Sequence, residues 1–425
     1  MLKQRASALF HRLWSKGLMR SGMVTGLILA VVVAGLGVAY YEHGRGNLHK
    51  LEAKIVVERQ DAPVPRPGGK EPVVLMRSRL VGDTAPEFTS VTTLPGRGMN
   101  ILQITAYIPD KGAVNLLASP SPADAELAMT GKGGDANGHA SLAMGGAFEV
   151  PWAGRIWGTA QPGGRVTENW RGHIISLPAA AGAGSEATGG LLLTEPASSS
   201  STAGLPDGGQ AQAVFPGQAF AQHWPSKTEV TVSVLLSSHT IEFTVVARNS
   251  GDVAEPVGIG WRPRFAIAKA DREHLLLRIP GERREELRER EGSAPTGNLL
   301  PVAGTPYDFT RVGGAPLGRM ALDDGFTLLH QDLVEAGPIV QLSDPANSYG
   351  LRMTVLSPAI KTIHVLAPAD ADFVSIDPRF NYDDPFGREW SKQPDTGMVV
   401  LEPGQSTQWK VRLEIVPLAA GGSSK

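Results

Sequence analysis

The sequence predicts an all-β sandwich preceded by one N-terminal transmembrane helix, and three observations predict it. A long run near the N-terminus carries no charge. Apolar and polar residues alternate with a period of two through much of the remainder. Fifty glycines and 32 prolines in 425 residues supply turns at the density that hairpin-connected strands need.

The uncharged run is Ser21 to Tyr41, SGMVTGLILAVVVAGLGVAYY. As a helix its roughly 20 residues reach roughly 30 Å, the hydrocarbon thickness of a bilayer. Lys3, Arg5, Arg12, Lys16 and Arg20 precede it without an acidic residue, whereas Glu42, Arg45, Lys50, Glu52 and Lys54 follow in mixed sign. The positive-inside rule then keeps residues 1–20 in the cytoplasm and exports the rest, placing a single-pass protein in the inner membrane with its main domain periplasmic. Gly37 and Ala39 leave a cleaved signal peptide as the rival reading, but the run exceeds the usual length of a signal's apolar core.

Residues 42–71 read as a linker, with the Pro- and Gly-rich DAPVPRPGGKE at its end, and 72–417 as one β-sandwich domain; 418–425 are an untethered tail. The clearest hairpin is TEVTVSVLLSSHTIEFTVVARNSG. Val230, Val232 and Val234 alternate with polar residues, Ser237 and Ser238 reverse the chain, and Ile241, Phe243 and Val245 alternate again. Two stretches fit less well. Ala179 to Gly209 reads as two small-residue loops around Leu191 to Leu193, and ERREELRERE from Glu282 to Glu291 as a solvated loop or one helical turn.

Composition excludes some functions. A formal charge of -2 gives no field for nucleic acid, and the lack of cysteine removes disulfides and thiolate chemistry. The histidines show no HxH or HExxH spacing, so no metal and no cofactor is expected.

Several segments, in order along the chain, resemble the aldose 1-epimerase (galactose mutarotase) family. They are FEVPWAGRIWG (148–158), RGHIISLP (171–178), PVGIGWRPRF (256–265), PTGNLLPVAGTPYDF (295–309), LDDGF (322–326), FVSIDP (373–378) and MVVLEPGQSTQ (398–408). The resemblance implies a large sandwich of the galactose-mutarotase type, a saccharide as ligand, and a cleft holding Arg155, Asp323 and Arg262 as substrate-binding residues. It places Asp377 at the catalytic position. Trp152, Trp157 and Trp261 read either as core or as indole faces offered to a pyranose, and Trp152 and Trp261 are expected among the substrate-binding residues.

Mutarotation needs a base for the anomeric hydroxyl and an acid for the ring oxygen. In this family a glutamate and a histidine do that work, with a second histidine assisting. Here Asp377 replaces the glutamate, Arg262 stands at the acid's position and Gly189 at the other histidine's. Arginine keeps its proton at ordinary pH and is a very poor acid. The resemblance therefore implies a membrane-anchored carbohydrate binder with weak or lost mutarotase activity. The alternatives are an active epimerase with Asp377 as base and a relocated acid, His173 first, and a structural subunit of an envelope complex.

Overall fold

The computed structural model describes residues 31–43 except 39, and 63–418 except 80–83, 181, 183, 269–270, 289–293, 332 and 394. Residues 31–38 and 40–43 are helical, with Val32, Leu36 and Tyr40 among their exposed side chains. Among the described residues no helix is long and apolar enough to cross a membrane. Residues 21–30 of the expected span lie outside the described residues, as do most of the linker and the tail from 419.

From Pro65 onward the chain forms one compact unit built on two large antiparallel sheets. One has eleven strands; its central run, in spatial order, is Gly146–Glu149, Gly260–Ala266, Phe373–Arg379, Thr362–Ala367, Leu322–Leu329 and Gly281–Leu287. The other has nine, with Thr228–Leu236, Thr240–Asn249 and Ser406–Pro417 side by side. The predicted hairpin is the pair Thr228–Leu236 and Thr240–Asn249 of that second sheet, closing at Leu236 opposite Ile241. Its alternating Val230, Val232, Val234, Ile241, Phe243 and Val245 are all fully buried.

Aromatic rings fuse the two sheets. Phe243 of the second sheet lies 4.3 Å from Trp261 of the first, centroid to centroid, and Trp409 meets Phe148 edge-on at 6.2 Å. Trp261 also stacks on Phe148 and meets Phe265 edge-on. Its indole N–H donates to the Gly146 carbonyl at 3.2 Å, so no polar atom of the ring is left unpaired in the core.

Both awkward stretches prove to be partly strand. Gly281–Leu287, the start of the charge-rich run, is a strand of the first sheet rather than a loop or helical turn. Its charges are tolerated because one face of that sheet is itself polar. Ser199–Leu205 is an exposed edge strand paired with Gly208–Phe215, not a loop; its small polar residues suit an edge facing solvent on every side. Leu192 and Leu193, by contrast, sit in a short 3-10 turn and are buried in the core.

Candidate functional site

Residues directly opposed on neighbouring strands point to the same face, so the strand register shows which side chains can meet. Gly260 opposes both Glu149 and Arg379, which fixes Arg262 opposite Asp377. Asp377 opposes His364, and His364 opposes Gly325. Glu285 follows on the next strand, its carboxylate lying over Gly325 where a Cβ would meet it at 2.2 Å. Any side chain at 325 would displace that carboxylate. The result is a polar stripe, Arg262, Asp377, His364 and Glu285, running across five strands of the first sheet. Asp323 stands beside it on the same face.

Arg155 arrives from outside the sheet, on the short strand Arg155–Trp157. Its Nη2 donates to both oxygens of Asp323, at 2.8 and 2.6 Å, and its Nη1 lies 3.6 Å from Asp383. His364 Nε2 is 3.0 Å from Asp323. Burial pushes the Asp323 carboxyl up, but His364 and Arg155 outweigh it and hold the group well below the usual carboxylate range. Burial opposes the charge of Arg155 too, and Asp383 and Asp323 more than restore it. This pair is a charged, partly exposed rim.

Behind the rim the stripe is sealed. Asp377 is 1% exposed, and among the described residues neither of its carboxyl oxygens has a hydrogen-bond partner. Burial raises its pKa well above the usual range, and the charge of Glu149 adds to this against the opposing Arg379 and Arg262. Burial and a neighbouring carboxylate both penalise the charged form, so the site favours the protonated form of Asp377. Arg262 Nη1 lies 3.6 Å from Glu149. Arg379, also buried, donates to Asp383 at 2.9 Å, and the Gly154 backbone lies so close over it that a Cβ there would overlap its guanidinium. Gly154 holds a φ of +73°, the left-handed conformation that glycine tolerates.

Burial followed by the Arg379 charge lowers the His364 pKa to about 4, so its imidazole is neutral at physiological pH. Burial and Asp383 raise Glu285 to about 8. Arg379 and Arg155 overcome burial and bring Asp383 to about 2. Charged Arg379, Asp383, Arg155 and Asp323 thus surround the stripe, while its own Asp377 and Glu285 are shifted toward the neutral, proton-bearing form.

Arg155, Asp323, Arg262 and Asp377 are therefore brought to one face. Trp152 and Trp261 are not brought to it as ligand surfaces. Both are fully buried; Trp152 stacks on Trp224 at 5.5 Å and Trp261 belongs to the aromatic core. The expectation that they offer indole faces to a sugar is corrected on that ground. His173 is exposed near the tip of a separate three-stranded sheet, tilted against Trp170, so it does not supply an acid to the stripe. At Gly189 the φ is +86°, a conformation that L side chains rarely adopt, and a Cβ would press on the Leu142 methyls at 2.8 Å, so a histidine here would be strained.

Glu149, His364, Arg379 and Asp383 were not singled out for this site by the sequence. His364 carried a signal. Thr362 and His364 alternate with Ile363, Val365 and Ala367, which marks a polar face on a strand whose other face is core. A search for histidines by metal-ligand spacing passes over such a residue.

Comparison with known proteins agrees with this architecture. Residues 212–414, just under half of the chain, match the aldose 1-epimerase family. A galactose mutarotase-like protein from Clostridium acetobutylicum superposes with a TM-score of 0.64 at 14% identity, covering 81% of this chain and 98% of that one. The fold is that of galactose mutarotase-like proteins. A putative aldose 1-epimerase from Escherichia coli K12 gives a TM-score of 0.58 at 16% identity, over 82% of this chain and 100% of that chain. A galactose 1-epimerase from Lactobacillus acidophilus gives 0.57 at 13% identity, over 82% and 99%. No curated protein matches the chain.

Proposed function

We propose that this chain is a membrane-tethered, extracytoplasmic saccharide-binding protein of the aldose 1-epimerase family in which mutarotation is weak or lost. The observation that carries the reading is the burial of Asp377, which is sealed from solvent, with its pKa raised well above the usual carboxylate range. A carboxyl that touches no solvent and resists losing its proton is a poor base for an anomeric hydroxyl. Arg155 and Asp323 keep partial exposure and paired charge, which suits them to hydrogen-bond sugar hydroxyls. Tethering rests on the uncharged run 21–41, its basic flank, and the exposed apolar helical residues at 31–43.

A second reading has one specific observation in its favour. His364, neutral and directly opposite Asp377, would serve as the base while protonated Asp377 served as the acid, if the cleft opened. Calorimetric titration of the full-length chain with glucose and galactose tests binding. Asp323→Asn should weaken it by about tenfold or more, because the Arg155 guanidinium loses its charged partner. Absence of binding to any sugar overturns the proposal.

A further inference from the structure

We propose that the ligand is an oligosaccharide without negative charge, and that its second unit lies in a cleft beside Arg155. The inference rests on the saccharide-binding reading and names the substrate class for it. A cavity of about 570 Å³ is walled by Trp157, Thr167, Asn169, Asp384, Phe386 and Glu389, among others. That is within the size range of clefts that hold small-molecule ligands.

Its position ties it to the rim. Trp157 stands two residues beyond Arg155 on one strand, so both side chains leave the same face, roughly 7 Å apart. The strand is fixed there by three backbone contacts. Arg155 N–H donates to the Asp383 carboxylate at 3.0 Å, Asp384 N–H to the Arg155 carbonyl at 2.8 Å, and Trp157 N–H to the Asp384 carboxyl at 3.0 Å. A saccharide whose terminal unit meets Arg155 and Asp323 therefore has its next unit at the indole.

The lining suits that occupant. Trp157 and Phe386 are half-buried and present aromatic surface to the cavity, where the apolar face of a pyranose packs well. Thr167, Asn169 and Asp384 supply donors and acceptors for hydroxyls. The lining carries Glu168 and Glu389 against the single basic Arg388, an excess of acidic groups that disfavours uronates and phosphorylated sugars. Burial and the charge of Glu389 raise Asp384 to about 8, so it donates as well as accepts at neutral pH.

The test is titration of the full-length chain with glucose, galactose, maltotetraose, cellotetraose, chitotetraose and tetragalacturonate. A neutral tetrasaccharide should bind about tenfold or more tighter than either monosaccharide, and tetragalacturonate should not. Trp157→Ala should bring tetrasaccharide affinity down to the monosaccharide level, and Trp157→Phe, which keeps an aromatic face, should retain most of the gain. If monosaccharides bind but no tetrasaccharide binds tighter, or if Trp157→Ala leaves the gain intact, this inference falls and the saccharide-binding reading stands. If no sugar binds, both fall.

Discussion

His364 stands directly opposite Asp377 on the adjacent strand, and their pKa values are pushed in opposite directions: the imidazole's falls to about 4 and the carboxyl's rises well above its usual range. Burial is the leading cause for both, because it penalises whichever form is charged. Protonation at the stripe is therefore linked to folding, and stability depends on pH.

Stability should fall as pH rises from about 6.5 to 8. Glu285 and Asp384 keep their protons in the folded chain up to about 8, while in the unfolded chain both have ionised well below that. The unfolded state then binds fewer protons, so unfolding becomes easier by up to about 1.4 kcal/mol per pH unit for each fully buried group. Below about 6.5 His364 acts with the opposite sign, since it protonates in the unfolded chain before it does in the folded one. Thermal melts across this range check the slope. Glu285→Gln should flatten it, because glutamine stays neutral and keeps an oxygen to accept from Asp383 N–H. A melting temperature that rises from 6.5 to 8 would refute protonated Glu285.

The hairpin at 228–249 was legible in the sequence because one face of it is buried and its period of two has no competitor. The polar stripe was legible only in part. Arg155, Asp323, Arg262 and Asp377 sat in recognisable segments, whereas Glu285 was hidden in a charge run that resembles a solvated loop. Such a run becomes a strand only when its neighbours supply partners, and Gly325 and Thr362 are far away in sequence. Trp152 and Trp261 were misassigned because an aromatic within a binding motif looks the same in sequence whether it faces the ligand or the core.

Trp261→Ala should act on stability. The indole is fully buried among Phe148, Phe243 and Phe265, and removing a side chain of that size from a core costs about 3–5 kcal/mol. Denaturant unfolding measures the loss. A drop in sugar affinity at unchanged stability would return Trp261 to the binding surface.

The tethered reading makes topology a matter of charge. On that reading a reporter active only outside the cytoplasm should work when fused after Lys425 and fail when fused before Met1, since Lys3, Arg5, Arg12, Lys16 and Arg20 would hold the N-terminus inside. The reverse pattern would remove the export reading.

Mutarotation decides between binder and enzyme. The full-length chain is expected to leave the polarimetric equilibration of glucose and galactose unhastened, because losing general-acid help alone forfeits about 100- to 10,000-fold, and Asp377 is sealed as well. Neither single reversal should restore activity. Asp377→Glu adds a methylene to a carboxyl whose Oδ1 lies 3.0 Å from where a Cβ of Gly260 would sit, with Arg262 still flanking it, and Arg262→His supplies an acid beside a short, covered base. Made together, the exchange of arginine for the smaller imidazole leaves room for the longer carboxylate, and the two groups act as a unit. The double variant should therefore raise the rate above both singles. If the unmodified chain accelerates mutarotation strongly and Asp377→Asn abolishes it, the binder reading fails, and neutral His364 on the adjacent strand as base, with Asp377 as acid, is the pair that does the work.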